Sequence, residues 1–393
     1  MRKPTIISLI LFSLFCQGLS ASVNDTLSDN RITHQIGMEA RPSYVIPTHG
    51  FYRGWNSLNT PVRSGGSAHL KYSFSFPEGH RYGEGYPTSY QGIGLSVNTF
   101  FAHDLLGTPG AIYLFQGAPI ISFGDKLSID YEWNFGLSYG WKAYDGTSDE
   151  DDMLIGSSAN AYINVGILLS YYINRHWKLS AGPEYTHFSN GDTKFPNGGA
   201  NTINFRVGIA RNFNAPTKQK TIVEMLDSWN KSLVWDLIAY GAWRADRIVD
   251  DTGLHLINKV FPVAGININP LYRFSQSLSA GASLDLMYDR SANLTGTEAD
   301  GVYTYTYPGF LRQCAAGLSV RGEIRMPIFA INLGLGYNFL HPGTDLKGLY
   351  GIFNLKTFLT DNLFLNIGYR LSSRAYTHNM MFGLGWRIDS RNK

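Results

Sequence analysis

Residues 177–189 read Trp-Lys-Leu-Ser-Ala-Gly-Pro-Glu-Tyr-Thr-His-Phe-Ser, and Asn190 and Gly191 follow. His187 and Ser189 are two positions apart, an imidazole base and a hydroxyl nucleophile. In extended chain, alternate residues share a face. Trp177, Leu179, Ala181, Pro183 and Tyr185 therefore lie on the same side as His187 and Ser189. Lys178, Ser180, Glu184 and Thr186 occupy the other side. The potential base and nucleophile end an apolar, aromatic face. In a transmembrane β-barrel that face meets lipid, so a hydrolytic pair there would meet acyl chains.

Serine ester hydrolysis needs a base within hydrogen-bond reach and a third group that orients the base. Same-face neighbours on a strand are about 7 Å apart at the backbone, a gap that side chains can close. The next segment, Asn201-Thr202-Ile203-Asn204-Phe205-Arg206-Val207-Gly208-Ile209, has its odd positions apolar below Asn201. Asn201 is thus the candidate orienter. If Ser189 and Asn201 stand opposite each other, Glu184 and Arg206 are also opposite and would pair on the polar, lumen-facing side.

The elements that must carry these residues are strands. The chain has 393 residues with 24 Tyr, 23 Phe, 8 Trp and 42 Gly. Its mean hydropathy is slightly negative. No apolar run of the mature chain is long enough for a transmembrane helix. About sixteen alternating segments at the length typical of barrels predict an all-β, antiparallel outer-membrane β-barrel. One barrel of about sixteen strands is favoured over two tandem barrels of about eight. Tight turns at Gly124-Asp125-Lys126, Asn174-Arg175-His176, Ser275-Gln276-Ser277 and Thr360-Asp361-Asn362 alternate with longer polar loops at 142–156, 190–201, 245–259 and 291–309. With both termini periplasmic, His187 and Ser189 would lie near the outer-leaflet rim.

Arg2 and Lys3 before an apolar run from Ile6 to Leu14, then small residues to Ala21, predict a secretory signal over residues 1–21. The mature chain would keep one cysteine, Cys314, which excludes an internal disulfide and a cysteine metal cluster. Residues 22–214 form the half that carries the His/Ser pair, 215–232 a periplasmic linker with a short amphipathic turn at 221–229, and 233–393 a second half. The segment from Asn174 to Gly182 aligns with that from Thr360 to Gly368, which places Ser373 and Ala375 where His187 and Ser189 stand. The second half is therefore read as non-catalytic. The net charge of +3 gives no reason to expect nucleic-acid binding.

His187-Phe188-Ser189-Asn190, followed by Pro196-Asn197-Gly198-Gly199 and a strand, resembles the PagL-type lipid A deacylases, outer-membrane barrels with a His-x-Ser-Asn motif. The resemblance spans roughly Gly110 to Phe213 and is sharp from Tyr185 to Phe205. It implies Ser189 as nucleophile, His187 as general base, oxyanion donors around Asn190 and Gly191, and a supporting role for Asn197. It implies lipid A or lipopolysaccharide as substrate, the outer membrane and its barrel-assembly machinery as partners, and no metal or cofactor. The family usually has an acid where this chain has Asn201. An Asn can fix a His tautomer, as in Cys-His-Asn proteases, but it cannot stabilise an imidazolium by charge. A lower rate, recruitment of Asp192, or a silent homologue would follow.

Other candidates have plainer readings. The acidic run Asp149-Glu150-Asp151-Asp152 could hold divalent cations but reads first as a solvated loop. His49, His80 and His103 are rim or turn residues, His378 belongs to a loop, and Cys314 packs. Besides an esterase, the pattern admits a passive pore or a structural barrel without activity.

Overall fold

A computed structural model describes residues 31–77, 80, 86, 89–144, 150–214, 231–250, 253–299, 302–373 and 378–390. The expected signal segment, most of the linker, Asp149 and Ala375 lie outside these residues. The first eight strands are β1 (Thr33–Val45), β2 (Ser64–Ser75), β3 (Tyr90–Thr99), β4 (Gly107–Phe123), β5 (Leu127–Trp141), β6 (Ala159–Tyr172), β7 (Trp177–Ser189) and β8 (Ala200–Phe213). They close by pairing β1 with β8. A second ring contains β9 (Ser232–Asp250), β10 (Gly253–Arg273), β11 (Leu278–Asp289), β14 (Cys314–Arg325), β15 (Phe329–Leu340), β16 (Gly348–Phe358), β17 (Leu363–Ser372) and β18 (Asn379–Asp389). It closes by pairing β9 with β18.

The sixteen barrel strands thus form two antiparallel barrels of eight, the tandem arrangement, rather than a single ring of sixteen. The reason is pairing at the ends of each half: once β1 has bonded β8, neither edge is free to accept β9. Two further strands, β12 (Thr295–Ala299) and β13 (Val302–Thr306), form a separate hairpin within the expected 291–309 loop. The expected 245–259 loop is instead largely strand, because β9 and β10 stay paired out to Asp250 and Gly253 across a bulge at Ile257/Val260. The two segments aligned as a repeat, β7 and β17, are each the seventh strand of their ring.

Alternation decides what faces where. On β8, Ile203, Phe205, Val207 and Ile209 point outward and are about half exposed, whereas Thr202, Asn204 and Arg206 are buried in the lumen. Eight-stranded lumens are just wide enough for side chains to fill. In the first barrel, Glu39, Glu132 and Glu184 meet Arg41, Lys71 and Arg206. The void beside Glu39, Lys71, Glu132 and Arg206 measures only about 20 Å³. In the second barrel, Asp236 and Glu323 meet Lys356 and Arg387. Among the described residues these networks fill the interior of both barrels with buried, paired side chains.

The barrels lie side by side with the longer loops at the same end. At the opposite, tight-turn end, outward residues of one pack on outward residues of the other. Trp133 meets Phe329 edge-on, with ring centroids 5.2 Å apart, and its indole Nε1 lies 3.3 Å from the sulfur of Met326. Leu355 completes this cluster.

Candidate active site

Phe188 fixes the end of β7. It points into the barrel mouth, where its ring packs 5.0 Å from Trp141, 5.3 Å from Tyr162 and 6.1 Å from Phe100. This cluster continues through Phe51, Tyr52, Leu105, Leu106, Leu154 and Ile155 and fills the mouth beneath the loops. With Phe188 anchored inward, His187 and Ser189 must point outward. Each is partly buried.

The register differs from expectation by two residues. His187, not Ser189, stands opposite Asn201, and Arg206 is opposite Gly182 rather than Glu184. The Arg206–Glu184 ion pair nevertheless forms, because a long guanidinium reaches a diagonal neighbour. Phe188 pairs with Ala200 at the last rung of the β7/β8 ladder, and Ser189 pairs only with Ala161 of β6. The true register serves the chemistry better. The Asn201 Oδ1 accepts from the His187 Nδ1 at 2.7 Å and from the Tyr185 hydroxyl at 2.5 Å, while its Nδ2 donates to Thr48 Oγ1 at 3.3 Å. An acceptor on Nδ1 places the proton there and leaves Nε2 as the basic nitrogen.

Ser189 is held by the loop that follows it. Its hydroxyl donates to Asn197 Oδ1 at 3.0 Å and accepts the Gly191 N–H at 3.0 Å. The Asn190 N–H also donates to Asn197 Oδ1, at 3.0 Å. The Asn190 side chain donates to the carbonyls of Lys194 and Pro196 at 2.6 and 3.1 Å, closing the loop on itself. Among the described residues, His187 makes no hydrogen bond to Ser189. Catalytic hydrogen bonds often tighten only once substrate is bound. Of the expected oxyanion donors, Gly191 N–H is aimed at the serine oxygen, whereas the Asn190 N–H is engaged by Asn197.

Asp192 does not reach His187. Its carboxylate accepts from Asn197 Nδ2 at 3.1 Å and from the Tyr369 hydroxyl of β17 at 2.9 Å. Its carbonyl accepts the Ala245 N–H at 2.9 Å. A relay thus runs from the second barrel through Tyr369, Asp192 and Asn197 to Ser189. Tyr185, Thr48 and Tyr369 join the site without having been expected there from the sequence. Tyr185 shares a face with His187, so the period-two pattern contained it. Tyr369 had no local signal.

Two supports complete the site. Tyr52 donates to the Gly199 carbonyl at 2.6 Å and is held protonated by burial. It sits on a 3₁₀ turn, Gly50–Arg53, capped by His49, whose ring accepts the Phe51 N–H at 3.2 Å and whose pKa is lowered by burial. Gly191 has φ +63°, and a Cβ there would lie 2.5 Å from the Met380 sulfur. Gly191→Ala is therefore expected to cost about 1–2 kcal/mol in backbone strain and to displace the amide from Ser189, lowering ester hydrolysis about tenfold. Adding Met380→Ala should recover only the steric part. Full recovery in the double variant would show that the backbone conformation is immaterial.

Four of the remaining candidates make hydrogen bonds. Asp152 accepts from the Ser57 amide at 3.1 Å and hydroxyl at 2.7 Å. His378 accepts the Ser372 N–H at 2.9 Å, His103 pairs with Thr108, and the Cys314 thiol contacts the Phe310 carbonyl.

The fold and site define an outer-membrane β-barrel with a His/Ser cluster on its outward face. Residues 64–210 match the family described as lipid A 3-O-deacylase (PagL), and residues 233–391 match the acyloxyacyl hydrolase C-terminal domain. The chain belongs to the PagL family, and the two matches cover most of it. No curated protein matches the chain. Among solved structures, the siderophore receptor PirA from Acinetobacter baumannii is 10% identical, with 90% of this chain and 70% of that chain covered and a TM-score of 0.23. The outer membrane protein Omp33 from Acinetobacter baumannii is 6% identical, with 91% and 98% covered and a TM-score of 0.17. Scores this low carry no weight for function.

Proposed function

We propose that the chain is an outer-membrane esterase that removes an ester-linked acyl chain from lipid A at the outer-leaflet side. The 3-O position in the family's description is the expected bond. Ser189 Oγ attacks the ester carbonyl while His187 Nε2 takes its proton and passes it to the departing alkoxide. Water then cleaves the acyl-enzyme with His187 again as base, giving a free fatty acid and lipid A with a hydroxyl in place of the ester. The Gly191 N–H, which holds Ser189 Oγ before attack, would turn to the oxyanion that develops beside it on the substrate carbonyl, in a site of low dielectric. The observation that carries the reading is the His187–Asn201 hydrogen bond, which leaves Nε2 basic on the face shared with Ser189. Barrel insertion would use the outer-membrane assembly machinery. Lipid A from cells expressing the chain should lose the mass of one acyl group by mass spectrometry. An unchanged spectrum from a folded, surface-exposed barrel would refute the activity.

The competing reading is a silent barrel. It draws on the serine proton directed to Asn197 and on the missing acid at position 201. Asn201→Asp discriminates between them. A carboxylate would keep the tautomer and add a charged hydrogen bond, stronger than a neutral one by about 1.4 kcal/mol, which is about tenfold in rate. A rise of that size in kcat is expected. No response at all in an inactive parent would favour the silent barrel.

A further inference from the structure

We propose that the cleft between the two barrels seats an acyl chain of the lipid substrate, with the second barrel forming one wall. The proposal rests on Ser189 being the nucleophile of the esterase.

The cleft has a volume of about 1390 Å³ and lies on the loop side of the Trp133–Phe329 contact. This exceeds the roughly 300–1,000 Å³ of pockets for drug-sized ligands. Ile112, Leu114 and Leu137 line it from the first barrel, and Trp243, Ile367 and Phe382 from the second. Trp243 and Phe382 stack with centroids 6.0 Å apart and form a flat aromatic wall. Leu137 and Trp243 remain 63% and 52% exposed, so the two barrels leave the gap unfilled. Inside a bilayer such surface takes up hydrocarbon.

Three features select the acyl chain of an ester substrate as the occupant. Ser189 lines the cleft, so a chain within it would bring its carbonyl to the hydroxyl. Lys194 and Lys259 also line it, where a phosphorylated headgroup would need cations. The loop that follows Ser189 is tied across the gap by Asp192 to Tyr369 and Ala245, which sets the catalytic oxygen relative to the far wall. Holding the chain between two rigid walls reduces the orientational entropy lost before attack. The second barrel then has a binding role although it lacks the His/Ser pair.

The test uses the full chain in lipid nanodiscs. In the Ser189→Ala variant, Trp243 emission is isolated by difference from the same protein carrying Trp243→Phe. Lipid A with brominated acyl chains is titrated into phosphatidylcholine. Quenching at Trp243 should saturate, while at Trp177, isolated in the same way, it should follow the mole fraction of the probe. Proportional quenching at both positions would mean ordinary boundary lipid and would overturn the proposal. In the otherwise native chain, Ile367→Trp should lower kcat/KM on lipid A at least about tenfold. Leu384→Trp, on an outward position of β18 outside the cleft lining, should leave it unchanged. Equal effects of the two tryptophans on lipid A would also overturn the proposal. Saturable quenching by a lipid that the native chain never hydrolyses would overturn the esterase reading and leave the cleft as a lipid-binding site.

Discussion

Ser189→Ala is expected to abolish fatty-acid release, by a factor of about 10⁴ or more, from a barrel that still folds. The change removes the attacking oxygen. It costs only two hydrogen bonds in a loop that the Asn190 side chain also closes, and the pairing of position 189 with Ala161 is a backbone property. His187→Ala should cost nearly as much, because base and nucleophile act as one unit. The double variant should be no worse than either single one. Fatty acid measured by mass spectrometry, with heat-modifiable mobility on gels as the folding control, gives the comparison. Fatty-acid release surviving in Ser189→Ala would remove Ser189 from the chemistry. Losses that multiply in the double variant would mean that His187 acts separately from it.

The second large effect is expected inside the barrel. Arg206 reaches Glu39 at 3.1 Å, Glu132 at 2.7 Å and also Glu184, all deeply buried. Arg206→Leu leaves three carboxylates with Arg41 and Lys71 as their ion-pair partners among the described residues. Breaking a buried ionic cluster by removing one partner costs about 3–5 kcal/mol, so the urea midpoint in micelles should fall clearly. Arg206→Lys keeps the charge but loses the planar fork and should fall between the two. If Arg206→Leu unfolds at the parental midpoint, the network adds nothing to stability and its acids must be protonated or hydrated.

How much of this could be read from the sequence depended on how local each determinant was. Period-two alternation located β7 and β8 and the faces of their residues, because side-chain direction follows directly from position. The grouping of strands into two rings was not legible in the same way. Closure depends on β1 meeting β8 and β9 meeting β18, and no residue near those strands records which edge will be accepted. The register of β7 on β8 was misread because Glu184 and Arg206 satisfy each other diagonally as well as directly. His187, Ser189 and Asn201 do converge at one strand end. Asp192, a possible partner of His187 by sequence position, is instead held by Tyr369, 177 residues further on.

The filled lumens have one more consequence. With Arg206 and Arg387 buried in ion clusters inside the two barrels, the proposed route for a lipid runs along the outside of the protein. Substrate would arrive, and fatty acid depart, by sliding sideways within one leaflet. Turnover would then follow the number of lipid molecules per unit area of membrane rather than any concentration in the surrounding water.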